Sequence, residues 1–326
     1  MRGWLERVWF GEAAGGAWLV PLALLFGLLV RLRRHAYRAG WLPSGQAGRP
    51  VIVIGNLTVG GSGKTPLAVW LATALADQGL KVGIVSRGHG GRASGPLEVT
   101  AGSDPAMVGD EAVLLARRTR ARVVVARDRL AAARRLAAEV DVILADDGLQ
   151  HYRLARDLEI LVIDGRRRFG NGRLLPAGPL REPPARAHEA GVVVVNGGSA
   201  ATGELAMTLE ADAVVALGSG ERLPLASLRG RQVHALAGIG DPPRFFAMLE
   251  QAGLRPIRHP LPDHARLTVA SVAFGDSLPV LMTEKDAVKC QSFPAERLSY
   301  VEVSARFGAR DAASLLARVL ACVSRP

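Results

Sequence analysis

Lysine is almost missing from this chain. Only Lys64, Lys81, Lys285 and Lys289 stand among its 41 basic residues, and the rest are arginine. Arginine does not replace lysine where a compact point charge is needed, so each surviving lysine is informative. Cysteine is equally scarce. Cys290 and Cys322 alone exclude a disulfide scaffold and fit a reducing compartment. Aromatic residues make up 5% of the chain, and no basic run is interleaved with them. That argues against a nucleic-acid partner. There is no internal repeat, and no low-complexity tract beyond alanine-rich helices. What remains is 49% hydrophobic and 22% charged over 326 residues, a globular composition long enough for two ordinary domains. The net charge of +11 predicts an acidic partner: a nucleotide, a nucleic acid or an anionic membrane surface.

Residues 13–30 carry no charge, and Arg31, Arg33, Arg34 and Arg38 follow at once. Eighteen residues is the short edge for a membrane-spanning helix. A cleaved signal peptide does not fit, because the charges follow the apolar run and no small-residue cleavage site succeeds it. A buried core helix stays open on length alone. The expectation is a membrane-associated helix within residues 1–38, inserted or partly inserted. Its arginines would lie at the headgroups, with Trp4, Trp9 and Trp18 at the interface.

The densest chemical signal is Thr58-Val59-Gly60-Gly61-Ser62-Gly63-Lys64-Thr65. It follows the apolar run 51–54 and leads into the helical pattern 67–72. Strand, glycine-rich turn, Lys-Thr and helix make a phosphate-binding P-loop. Its glycines let backbone N–H groups wrap an anion, and the helix N-terminus adds its positive end. Lys64 is placed to reach β- and γ-phosphates, and the Thr65 hydroxyl to bind Mg²⁺. The usual first glycine of the motif is Thr58 here.

Further apolar runs at 82–86, 122–126, 142–145, 158–163 and 191–195 alternate with helical patterns. The fold class expected is α/β. A P-loop NTPase-like, doubly wound, mostly parallel sheet over 39–220 is followed by a smaller α/β domain over 221–326, whose last helix is free to pack back on the first. Functional groups then belong at the C-terminal strand ends. Asp146-Asp147 ends such a strand and reads as a Walker B pair for Mg²⁺. Gly109-Asp110-Glu111 opens a helix; its acids either complement the dipole or serve as base or magnesium partner. Pro262-Asp263-His264 is a loop pair that gains force if the domains close over a nucleotide. Arg181, in the proline-rich loop 174–182, is placed to clamp a phosphate. Thr283-Glu284-Lys285-Asp286 imitates a guanine-reading T-K-x-D only superficially. Its Lys and Asp are adjacent, which favours ATP over GTP.

Together these segments resemble the tetraacyldisaccharide 4′-kinase family, the lipid A 4′-kinases of Gram-negative bacteria. The similarity spans nearly the whole chain. It runs from Gly55-Asn56-Leu57-Thr58 and Ser86-Arg87-Gly88 through Asp146-Asp147-Gly148-Leu149-Gln150-His151, Asn196-Gly197-Gly198 and Asp263-His264 to Thr283-Glu284-Lys285-Asp286-Ala287-Val288. It also accounts for Thr58, since that family lacks the first glycine. The resemblance implies transfer of the ATP γ-phosphoryl group to the 4′-hydroxyl of a tetraacylated glucosamine disaccharide 1-phosphate, at the cytoplasmic face of the inner membrane. It implies ATP and Mg²⁺ as cofactors, the lipid A precursor and inner-membrane lipid as partners, and neither nucleic acid nor an obligate protein partner. It carries catalytic roles onto Lys64, Asp110 as base and His264 as its partner. It carries metal roles onto Thr65, Asp146, Asp147 and Glu111, and phosphate contacts onto Arg127 and Arg181. Three positions depart from the family pattern. His89 stands for the usual Tyr, and Ala265 and Leu267 stand for a second His and an aromatic. Two other readings stay open from the residues: a membrane-associated P-loop ATPase switch, and a nucleotide-binding module without catalysis.

Overall fold

The computed structural model describes residues 2–11 and 15–324. Two helices, α1 (Arg2–Trp9) and α2 (Val20–Arg38), lead the chain. The first unit then runs β1 (Val51–Gly55), α3 (Lys64–Asp77), β2 (Val82–Ser86), β3 (Leu97–Val99), α4 (Pro105–Val108), α5 (Asp110–Arg118), β4 (Arg122–Val125), α6 (Arg129–Leu136), β5 (Val142–Asp146), β6 (Leu158–Asp164) and β7 (Val192–Asn196). The second follows as β8 (Leu205–Ala216), β9 (Arg222–Pro224), β10 (Gln232–Ala237), α7 (Pro242–Gln251), β11 (Arg255–Pro260), β12 (Val280–Thr283), α8 (Glu284–Ala287), β13 (Leu298–Phe307) and α9 (Ala309–Val323).

All thirteen strands belong to one sheet, in the order β11-β10-β12-β13-β8-β7-β6-β1-β5-β2-β4-β3, with β9 beside β8. Strands β4, β2, β5, β1, β6, β7 and β8 run parallel. The Val/Ile/Leu runs of β2, β5 and β1 are covered on both faces, which is why they show no alternation. One face packs on α3, α5 and α9 through Leu67, Leu71, Leu115, Leu315 and Val319. The other packs on α6 through Leu130, Ala133 and Leu136. Strands β11, β10, β12 and β13 form a second parallel set, with apolar cores of its own.

The two sets meet where β13 runs antiparallel to β8. Both of these strands are long. Strand β7 pairs with the start of β8 at Leu205, whereas β12 pairs with the start of β13, opposite the far end of β8 at Ala216. The second set therefore hangs from the distal end of β8 and points back. The C-terminal ends of both sets face each other across a cleft.

The N-terminus departs from expectation. Residues 13 and 14, at the head of the uncharged run, lie outside the described residues. Helix α2 takes the arginines into its own body, so its uncharged part is only 20–30, about 16 Å at 1.5 Å per residue. Among the described residues no helix is long and apolar enough to cross a membrane. A spanning helix is thereby corrected, and so is a buried core helix. Only Ala23 and Gly27 of α2 are buried, while Leu22, Leu24, Leu25, Leu28, Leu29 and Leu32 are all more than half exposed. Arg34 and Arg38 pair with Glu189 of the protein body.

Leu71, fully buried on α3, supports the helix that carries the phosphate loop. Leu71→Ala is expected to destabilise the fold by about 2–5 kcal/mol. A denaturant titration checks this, with a lower midpoint at unchanged slope as the expected outcome.

Candidate active site

The phosphate loop is built between β1 and α3. Gly63, at φ 94°, turns the chain into α3, and a side chain there would strike the Asn196 amide. Asn196, at the end of β7, donates Nδ2–H to the Ser62 carbonyl at 3.0 Å. On its other flank the loop is paired like a strand. Thr58 bridges Leu180, the Val59 N–H donates to Pro179 O at 2.9 Å, and the Arg181 N–H donates to Leu57 O at 2.7 Å. Thr58 needs no positive φ in this extended bridge, so a glycine is not required there. Residues 59–66 line a cleft of about 670 Å³.

The parallel register of β1 and β5 sets Ile54 opposite Asp146. The paired acids therefore end beside the loop. Asp147, at φ 46°, lies 3.4 Å from Lys64 Nζ and accepts from Arg181 Nη1 at 3.3 Å on each oxygen. Burial would raise its carboxyl, but the Lys64, Arg181 and Arg129 charges overcome this and hold it far below the usual range. Asp146 is buried, and its Oδ1 has no partner. Burial, reinforced by the negative charges of Glu111 and Asp147, pushes it from 3.8 up to about 7. An orphaned buried carboxylate oxygen next to a second carboxylate, with the Thr65 hydroxyl in the adjoining cleft, suits a hard cation that prefers oxygen. Among the described residues no group of three or more His, Cys, Asp or Glu side chains could hold a metal alone. Magnesium sites in phosphoryl transfer use only one or two carboxylates, with substrate phosphates completing the shell.

Asp110 opens α5 and is buried. It meets His264, which the second unit presents from the loop after β11 at φ 59°. His264 Nδ1 and Asp110 Oδ2 are 3.1 Å apart. Burial would raise the Asp110 carboxyl. The His264 hydrogen bond and the Lys285 and Lys289 charges outweigh it, so Asp110 stays anionic. The same hydrogen bond raises His264 against burial and Lys285. Lys285 Nζ reaches Glu111 Oε1 at 3.1 Å, Asp263 Oδ1 at 3.2 Å and His264 Nε2 at 3.2 Å. An ammonium can only donate, so Nε2 accepts and Nδ1–H is directed at Asp110.

Residues 59–65, Glu111, Asp147, Arg181 and His264 thus line one cleft, with Asp110 and Asp146 buried next to them. Arg127 is exposed and does not line the cleft. Arg129, two residues on, is buried and acts electrostatically on Asp146 and Asp147. Glu111 lines the cleft in an ion pair with Lys285. Sequence reasoning missed the roles of Lys285 and Lys289, which converge on Asp110 and His264. Their signal was the lysine scarcity: three of the four lysines lie at this site. It also missed Arg244, which bonds Asp164 at 3.1 Å and Asn196 at 3.2 Å from α7. Of the three departures, His89 stacks edge-on against His264 with centroids 4.8 Å apart. Ala265 offers its carbonyl to Lys289, and Leu267 is buried.

Comparison with known proteins identifies the family. A family model described as tetraacyldisaccharide-1-P 4′-kinase matches residues 16–321. A tetraacyldisaccharide 4′-kinase of Methylobacillus flagellatus is 47% identical over 320 residues, covering 97% of this chain and 96% of the relative. One of Alkalilimnicola ehrlichii is 49% identical over 307 residues, covering 93% and 91%. Among solved structures, the "apo" form of LpxK from Aquifex aeolicus in complex with ATP superimposes with a TM-score of 0.80 at 28% identity. It covers 95% of this chain and 99% of that one.

The raised Asp146 carboxyl has a thermodynamic consequence. Between the unfolded value of 3.8 and about 7, the fold retains a proton that the unfolded chain has lost. Stability therefore falls as pH rises through that window. Asp146→Asn has no such penalty. Without ligand it is expected to be more stable than wild type at pH 8, by roughly 1–3 kcal/mol, and near parity at pH 4. Melting curves at the two pH values check this, and an equal difference at both would overturn it.

Proposed function

The chain belongs to the tetraacyldisaccharide-1-P 4′-kinase family, and from that membership we propose that it transfers the γ-phosphoryl group of ATP to the 4′-hydroxyl of a tetraacylated glucosamine disaccharide 1-phosphate. The observation that carries the reading is the placement of two half-sites in one cleft. The loop with Lys64 and Asp147 lines it, and so does His264, which bonds the buried Asp110. A nucleotide switch needs the first half only; a buried carboxylate oriented by a histidine from the opposing unit serves an acceptor hydroxyl.

The chemistry follows from the charges. The 4′-oxygen attacks the γ-phosphorus, the bond to the β-bridging oxygen breaks, and the hydroxyl proton passes to Asp110. Asp110 is a weak base because its neighbours hold it anionic. That suffices where the transition state is loose and little negative charge is drawn from the nucleophile. His264 holds the carboxylate in place through Nδ1–H. Lys64 and the loop amides take the charge of the β- and γ-phosphates, and Arg181 is aimed at the same region through Asp147. Thr65, Asp146 and Asp147 would hold Mg²⁺, which when bound neutralises phosphate charge.

The acceptor is an amphiphile, and α2 supports delivery from a bilayer. Its exposed leucines with Trp18, next to an arginine-rich turn, make a face suited to lying in the interface of an anionic membrane. We place the enzyme at the cytoplasmic surface of the bacterial inner membrane, where ATP is available.

Incubation with labelled ATP, Mg²⁺ and the lipid acceptor is expected to label the lipid. Lys64→Ala and Asp110→Ala are expected each to reduce turnover by about 10²-fold or more while circular dichroism still shows a folded protein at the assay temperature. ATP consumption without labelled lipid would favour the ATPase switch, and near-normal turnover of Asp110→Ala would remove it as the base. Co-sedimentation with anionic vesicles is expected of the full chain. Replacing Leu24, Leu25 and Leu28 by Ser is expected to weaken it by about tenfold; equal pelleting of both would refute interfacial docking by α2.

A further inference from the structure

The segment 174–181 has attachments on three sides. Along one edge it pairs with the phosphate loop through Thr58, Val59 and Leu57. At its end the Arg181 guanidinium rests on Asp147. Along its remaining side lie α1 and α2. The Trp9 indole Nε1–H donates to Pro176 O at 2.9 Å, and the Trp9 carbonyl accepts from the Asn171 N–H at 2.8 Å. Ala23 of α2 packs with Leu174 and Ala177, and Ala177 is fully buried. Gly27, one turn on, lies so close that a Cβ there would come within 2.7 Å of Leu174 Cδ1. Residues 23 and 27 are one helical turn apart, so the small side chains form one contact stripe.

That contact is more than a tether requires. The outward leucines of α2 suffice to hold a bilayer; a fitted seat for a loop that ends in an active-site arginine serves the site. We propose that Trp9 and Gly27 are positioning residues for phosphoryl transfer, acting through the 174–181 turn to hold Arg181 against Asp147 and the phosphate loop. The inference rests on the kinase reading above. The competing account gives the N-terminal helices a membrane-binding role alone.

The two accounts differ in which kinetic constant moves. A pure tether changes the effective concentration of lipid and so its KM; a misplaced Arg181 changes kcat. The test uses the full chain with labelled ATP, Mg²⁺ and lipid acceptor in mixed detergent micelles. Gly27→Leu drives a side chain into Leu174. It is expected to lower kcat about tenfold with lipid KM within about twofold. Adding Leu174→Ala, which removes the atoms it strikes, is expected to restore most of that loss. On an Arg181→Ala background, Gly27→Leu is expected to have less than about a twofold effect, because both act on the same group. Trp9→Phe keeps the ring and removes the N–H. It runs through the same cycle if Gly27→Leu fails to fold, with a smaller fall in kcat in the same direction.

A raised KM at unchanged kcat would overturn the proposal, as would losses that multiply on the Arg181→Ala background. An active wild type with either pattern refutes the positioning role alone. A wild type that labels no lipid refutes the kinase reading, and the inference with it.

Discussion

Parallel pairing of β1 with β5 is the contact on which the site depends. With Ile54 opposite Asp146, the strand that feeds the phosphate loop and the strand that ends in two acids finish at one level. Lys64 at the head of α3 then comes within ion-pair distance of Asp147. A slip of one residue would send Asp146 to the opposite face. The buried Val/Ile/Leu side chains on both faces make such a slip costly, so the hydrophobic core holds the charge geometry.

The second constraint is the reversal at β8 and β13. Parallel strands place functional groups at one end of a sheet, and a continuous parallel sheet would have left all of them at the same edge. Here the second parallel set hangs antiparallel from the distal end of β8. Its C-terminal loops return toward the phosphate loop. Cross-cleft pairs then accumulate: His264 with Asp110, Lys285 with Glu111, Arg244 with Asp164, and Arg167 with Asp241 at 3.0 Å. Each is partly shielded from water, and loss of either partner would strand a charge. The cleft is held by matched charges, while Asp146 Oδ1 is buried without a hydrogen-bond partner.

The same economy links the N-terminus to the chemistry. Small residues of α2 face the loop that carries Arg181, and its large apolar residues face outward. One helix thereby presents an exposed apolar surface and packs against the segment that leads to Arg181.

Local sequence determined the loop at 58–65, the strand-end acids 146 and 147, the helix-opening Asp110 and the α/β class. Each depends on neighbours in the chain: glycine conformations, apolar runs and helix ends. The uncharged run at the N-terminus read as a membrane helix, but among the described residues no helix is long and apolar enough to cross a membrane. The arginines continue α2 as far as Arg38, and two of them, Arg34 and Arg38, pair with Glu189, a partner more than 150 residues away in the chain. Arg127 and Arg129 could not be ranked, because which of two residues faces inward is set by the entry of the chain into α6. Lys285 and Lys289 are separated by more than twenty residues from His264 and by far more from Asp110. Only the reversal at β8 and β13 brings them together, since it is sheet topology that determines which strand ends share a cleft.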